Sequence, residues 1–218
     1  MVAWDQAKGK KASNSERREI KRLSLKNGDT KVRLVGGVMP RYTYWVVTKE
    51  GRKMPVECLQ FSRETESFDN TIEDPMKEIP EDVYNERPGF ASVCQVIDRT
   101  DGEVKLFDLR STIYAQIVDL AVDPDYGSPA DPDNGYDITI KKEKTGPLPQ
   151  NVKYSILPAR GNSPLTQEEK ELELYDLEKI IKRPTYDDQK KWLLDNTNYF
   201  AGDASDEFKP VEDVDDLA

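Results

Sequence analysis

A mainly β fold with helices, in the form of an antiparallel barrel carrying one inserted helix, is what this chain of 218 residues predicts. Three observations carry the prediction. Short runs rich in Val, Tyr and Trp alternate with turn residues. One stretch of helical period interrupts them after residue 110. Hydrophobic residues make up 36% of the chain against 34% charged, so a core forms only if most of the charge sits in loops and tails.

In chain order, residues 1–26 are polar, basic and weakly periodic, and read as a flexible arm. Residues 31–38, 41–48 and 53–61 read as a strand meander, broken at Met39-Pro40 and Lys49-Glu50-Gly51. Val35-Gly36-Gly37-Val38 marks a bulge or bend in the first of them. Residues 62–89 are acidic, carry Pro75, Pro80 and Pro88 and show no apolar period, so they form a long loop. Residues 91–98 and 103–109 make a hairpin across Thr100-Asp101-Gly102. Ser111 is placed to cap a helix in which Ile113, Ile117, Leu120 and Ala121 recur, ending before Asp123-Pro124. A loop over 123–135 leads to a last strand pair, 136–144 and 152–157. Strands, one helix, then strands is the order of an OB-fold-like barrel.

After Pro164 the chain turns helical. Thr166 and Glu169 make a capping box ahead of a stripe of Leu172, Tyr175, Ile180 and Ile181, and Thr185 with Asp188 starts a second helix. The expected organisation is a basic arm over 1–26, a core over 27–160 with the acidic loop 62–89, a helical extension over 161–202 and an acidic tail over 203–218.

Composition removes several functions. The chain has no histidine, which excludes His-based triads and zinc sites needing imidazole. Cys58 and Cys94 stand far apart without a CxxC, as in a reducing cytoplasm. No apolar run approaches a membrane span and no secretory signal is apparent. Asp131-Pro132-Asp133-Asn134-Gly135 faintly resembles a calcium loop, but Lys142 stands where the closing Glu belongs, so a plain loop is expected. No phosphate-binding or nucleophile motif occurs, so no enzyme is expected and no metal or cofactor is called for.

Charge is segregated. The net charge is −10 overall, yet residues 1–26 hold eight bases against three acids and residues 31–63 seven against two. Residues 64–87 hold nine acids against two bases, and residues 203–218 seven against one. Basic blocks in front of an acidic tail suit a polyanion site with an internal competitor, although charge blocks also serve solubility alone. Aromatic residues sit among the bases. In Arg41-Tyr42-Thr43-Tyr44-Trp45 alternation puts Tyr42 and Tyr44 on one face and Trp45 on the other, and sequence leaves open which is exposed. Lys105 and Phe107 share a face ahead of Arg110, Lys142 and Lys144 share another, and Lys153 adjoins Tyr154. Rings that stack bases, flanked by cations that follow phosphates, are what single-stranded nucleic acid needs. The competing reading makes these rings ordinary barrel filling.

These residues resemble the single-stranded-DNA-binding (helix-destabilising) proteins of T-even-type bacteriophages. The resemblance is one of order and spacing, over roughly residues 23–160 and both tails. It is carried by 23–36 (LSLKNGDTKVRLVG), 49–58 (KEGRKMPVEC), 88–99 (PGFASVCQVIDR) and 102–117 (GEVKLFDLRSTIYAQI), with 137–144 and 151–157 as closing strands. It implies DNA contacts by Arg33, Phe90 and Phe107. The front segment with Lys8, Lys10, Lys11 and Ser13 is similar to the family's motif for cooperative binding between protomers. The end, VEDVDDLA, with Asp213, Asp215, Asp216 and Leu217, is similar to its acidic tail, which recruits replication partners and competes with DNA. The family's zinc site is missing its ligands: Cys58 remains and no His exists, so 62–89 is expected to be organised without metal.

The expected function is therefore cooperative, sequence-indifferent binding of single-stranded DNA in phage replication, recombination and repair, in the cytoplasm of the infected host. The expected nucleic-acid contacts are Arg33, Arg41, Tyr42, Tyr44, Lys49, Arg52, Lys53, Phe90, Lys105, Phe107, Arg110, Lys142, Lys144, Lys153 and Tyr154. Expected partners are single-stranded DNA, neighbouring protomers, and replication and recombination proteins through the tail. The alternative is an acidic DNA mimic or replisome adaptor with no nucleic-acid site of its own.

Overall fold

The computed structural model describes residues 19–148 and 151–200. The residues expected to mediate cooperativity, Lys8, Lys10, Lys11 and Ser13, and those of the tail, Asp213, Asp215, Asp216 and Leu217, lie outside the described residues. Where the sequence suggested one core over 27–160 and a helical extension, the chain divides into two compact units. Among the described residues, one comprises 19–38 with 93–148 and 151–175, the other 39–92 with 176–200.

The first unit is a five-stranded sheet. Its strands are β1 (Gly28–Met39), β7 (Val93–Asp98), β8 (Val104–Asp108), β9 (Ile138–Lys144) and β10 (Val152–Pro158), in the order β10-β9-β1-β7-β8. Strands β1 and β9, β9 and β10, and β7 and β8 pair antiparallel. Helix α1 (Ser111–Val122) enters between β8 and β9. Renumbered along this unit, the strand order is 5-4-1-2-3 with a helix between strands 3 and 4, consistent with an OB-like fold. The core is Val32, Leu34, Val96, Leu106, Ile113, Ile138 and Ile140, supplied by the alternating positions that predicted the strands.

Both outer edges of this sheet are covered. Along β8, Leu106 N–H donates to Lys21 O and Leu23 N–H to Leu106 O, each at 2.8 Å. The arm expected over 1–26 is therefore not free throughout: Arg22 pairs with Asp108 and Lys21 with Glu103 as well. Along β10, the Gln116 side chain of α1 stands in for a strand, its Oε1 accepting from Ile156 N and its Nε2 donating to Tyr154 O. Helix α1 starts one residue earlier than capping by Ser111 implies: Arg110 is the N-cap and offers no side-chain bond.

The second unit is built from what was expected to be barrel wall. Strands β2 (Tyr42–Val47), β3 (Lys53–Glu57) and β6 (Gly89–Phe90) form a separate sheet in the order β3-β2-β6, beside a two-stranded ribbon of β4 (Phe61–Ser62) and β5 (Ser67–Phe68). In unit order, this is an insertion between the first and second strands of the OB-like sheet. Its core gathers Tyr44, Val46, Val56, Cys58, Phe61, Met76, Ile79 and Leu193. The acidic segment is organised around Asp74, 3% exposed, whose carboxylate accepts from Leu59 N at 2.8 Å and Met76 N at 3.0 Å. Burial raises the Asp74 pKa, and the N–H groups aimed at it oppose that rise. Among the described residues no group of three or more potential ligands is placed to hold a metal.

The helix expected from the stripe at 172–181 does not form. Two short helices, α2 (Gln167–Lys170) and α3 (Leu177–Ile180), stand in its place. The reason is Tyr175: its N–H donates to Gln95 Oε1 at 2.6 Å and its carbonyl accepts from Gln95 Nε2 at 2.9 Å, so neither is free for a helix. Two of the three caps read from the sequence are present, and Ser111 is the exception. Thr166 and Glu169 exchange bonds, and Thr185 accepts from Asp188 N at the start of α4 (Tyr186–Asn196).

Candidate nucleic-acid interface

Strand β2 settles the face that sequence left open. Tyr44 is 1% exposed and belongs to the core, whereas Trp45 is 52% exposed. Its pairing places Trp45 opposite Pro55 and Val47 opposite Lys53, so Trp45, Val47, Pro55 and Lys53 share one open face of the β2–β3 hairpin. Arg52, in the turn, is exposed and only loosely paired with Glu50 at 3.5 Å. An indole beside two solvated cations has the chemistry to stack a base with its phosphate held nearby. Trp45 was absent from the expected contacts because a period of two assigns faces without saying which one water meets.

A second ring group lies on the other side of the same sheet. Tyr42 packs edge-on against Phe90 at 5.8 Å and Phe68 at 5.0 Å, and tilted against Phe61 at 4.7 Å. Phe61 is buried, but Phe68 is 48% exposed and Tyr42 and Phe90 are half-buried. Phe68, in the acidic segment, was not anticipated, since nothing periodic surrounds it.

Several expected contacts are committed elsewhere. Arg33 is 0% exposed, inside the first unit; its guanidinium donates to Pro129 O and Asp131 O. Asp131 O opens the stretch that resembled a calcium site and Pro129 O lies just before it, so Arg33 is tied to this loop and is not available to a phosphate. Burial lowers the Arg33 pKa, with Asp137 opposing. Phe107 is 2% exposed, opposite Cys94 on the interior face, where it has no access to a base. Burial pushes the Cys94 thiol up to about 12, which makes it inert. Tyr44 is likewise removed from the expected contacts. Lys105 is held by Asp98 at 2.7 Å and by Asp101, and Lys49 donates to Leu194 O and Asp195 O at the end of α4. Arg41 and Arg63 share the buried Glu57, at 2.8 and 2.9 Å.

What remains of the first unit's set is a patch around β9 and β10. The Arg110 guanidinium lies 5.2 Å from the centroid of the half-buried Tyr154 ring. Lys142 sits directly opposite Tyr154, and Lys144 opposite Val152. Lys142 donates to Leu25 O, while Lys144 and Lys153 are exposed at the start and end of the β9–β10 connection.

The described chain thus offers two cationic, ring-bearing surfaces, one in each unit. A protein of Escherichia phage T5, described as a probable ssDNA-binding protein, is 35% identical to this chain over 153 residues. The match takes in 66% of this chain and 56% of that protein, so the chain spans little more than half of the relative's length. No family model matches. The relative comes from phage T5, so it does not carry the T-even affiliation that was expected from the sequence.

Proposed function

We propose that this chain binds single-stranded DNA without sequence preference and performs no catalysis. The observation that carries the reading is Trp45, an indole half open to solvent on a strand face that also bears Lys53. Bases stack on such a ring for about 1–3 kcal/mol each, and only unpaired strands expose their faces to it. Lys53, Arg52, Arg110, Lys144 and Lys153 neutralise phosphates and release counterions, so affinity falls steeply with salt. The relative's description supports the same class.

Topology adds a second support. OB-folds bind oligonucleotides through the connections between strands 1 and 2 and between strands 4 and 5. Here the first connection is the inserted unit with Trp45, Phe68 and Phe90, and the second joins Lys144 to Lys153. The face of strands 2 and 3 is not open, because β7 is buried throughout and Phe107 points inward.

The finer role follows from charge and from the T-even resemblance. The basic front segment with Lys8, Lys10 and Lys11 contacts neighbouring protomers along a strand. The acidic end, with Asp213, Asp215 and Asp216, competes for the cationic surfaces until DNA displaces it and then serves replication and recombination partners in the host cytoplasm. Titration of fluorescein-labelled oligo-dT and of duplex DNA at low and high salt tests the proposal. Salt-sensitive binding of the single strand alone is expected. Indifference to both DNAs at low salt would return the chain to the adaptor or DNA-mimic reading.

A further inference from the structure

The second unit holds a cleft of about 400 Å³ that shares only Pro55 with the face bearing Trp45. It opens at the free edge of β3, which contributes Met54 and Pro55, against Lys182, Gln189 and Trp192 from α4 and the residues before it. The size lies within the range of about 300–1,000 Å³ of small-molecule pockets. Three features narrow the occupant. Trp192 is half-buried and packed on the core at its inner side, which leaves part of a fixed indole wall facing the cleft. Gln189 is 3% exposed; its Nε2 donates to Asp74 at 3.4 Å, while its Oε1 has no partner among the described residues. That is a buried acceptor awaiting a donor. Lys182 is exposed and forms no ion pair among the described residues. Of the neighbouring carboxylates, Glu57 is paired with Arg41 and Arg63, while the exposed Asp188 is oriented by the Thr185 hydroxyl at 2.9 Å and keeps its charge.

A partner's β-strand is a poor occupant of this edge, because Pro55 has no N–H to offer a ladder. A flat ring with an N–H edge and an attached anion satisfies all three features at once. We propose that this cleft takes one unstacked nucleobase of the bound strand, its ring against Trp192, its N–H or amino edge at Gln189 and its phosphate at Lys182. The assignment rests on the single-strand-binding reading and deepens it, giving the chain one enclosed base site beside bases that are merely stacked.

The test uses the full chain labelled with 5-fluorotryptophan, whose resonances for Trp4, Trp45 and Trp192 are assigned with Trp45→Phe and Trp192→Phe variants. Deoxynucleoside monophosphates are titrated in, with deoxyribose 5-phosphate as control. The expected result is a saturable shift of the Trp192 resonance by nucleotides and none by the sugar phosphate. The Lys182→Glu exchange, on an exposed side chain, is expected to weaken this binding about tenfold, as losing a charge-assisted bond does. Oligo-dT carrying 5-bromodeoxyuridine should crosslink at Trp192 as well as at Trp45. Crosslinks at Trp45, Phe68 or Phe90 without any at Trp192, and a silent Trp192 resonance, overturn the cleft and leave the DNA-binding reading intact. A Trp192 response to nucleotides in a chain that ignores oligo-dT keeps the cleft as a nucleotide site and overturns the wider reading, and with it the bound strand as occupant. Silence in every arm overturns both.

Discussion

At the scale of single residues, exposure separates the proposed binding groups from structural ones of the same chemical type. Tyr44 and Trp45 are neighbours, both aromatic and both in a basic stretch, yet one is core and the other is half in solvent. Trp45→Ala is expected to weaken oligo-dT binding about tenfold, the loss of one stacking partner. Unfolding free energy should stay within about 0.5 kcal/mol of the parent, as for surface positions. Anisotropy together with urea denaturation checks both. Arg33 shows the opposite case, a cation spent indoors. Its guanidinium reaches Asp131 O only because Gly135 has no side chain: a Cβ there would lie 2.4 Å from Asp131 O and 2.5 Å from the guanidinium. Gly135→Ala is therefore expected to cost about 1–3 kcal/mol of stability, the usual penalty of overpacking, measured by urea denaturation.

Secondary-structure elements were legible wherever one face or one cap decided them. The strands at 28–39, 93–98 and 104–108 and helix α1 follow the alternation and the helical period, and Thr166 and Thr185 cap as their spacing implies. The stripe at 172–181 misleads because a tertiary bond outbids local period: Gln95 takes both backbone groups of Tyr175. Edges follow the same rule. The Gln116 amide closes β10, and no sequence pattern announces a helix side chain acting as a strand. Gln116→Ala is expected to cost about 1–2 kcal/mol, since it leaves Ile156 N and Tyr154 O without these partners. Hydrogen exchange at Ile156 should speed up while the amides of β7 stay protected, and equal acceleration in both strands would disprove the local role.

For the molecule as a whole, carboxylates with cationic partners set its response to acid. Asp137 is buried, which raises its pKa, but Arg99 at 2.9 Å and Lys31 at 3.2 Å outweigh burial and hold it below the ordinary 3.8. A depressed native pKa contributes stability that is present above the unfolded value and is lost as pH falls through the native one. The melting temperature is thus expected to drop below about pH 4, and Asp137→Asn should flatten that drop while lowering stability at neutral pH by about 3 kcal/mol, the scale for breaking a buried pair. A parallel acid drop in the variant would assign the effect to other carboxylates.

By itself the sequence determined the class of fold, the order of strands and helix and the caps at Thr166 and Thr185, because hydrophobic period, turn residues and capping chemistry act over a few neighbouring positions. It also determined how charge is segregated along the chain, on which the polyanion-binding proposal draws. Tertiary structure alone decided that residues 41–61 leave the barrel for a second unit, that Arg33 and Phe107 face inward, and that Trp45 faces out. Those outcomes depend on what packs over each face from far along the chain, and local alternation carries no record of which face that will be.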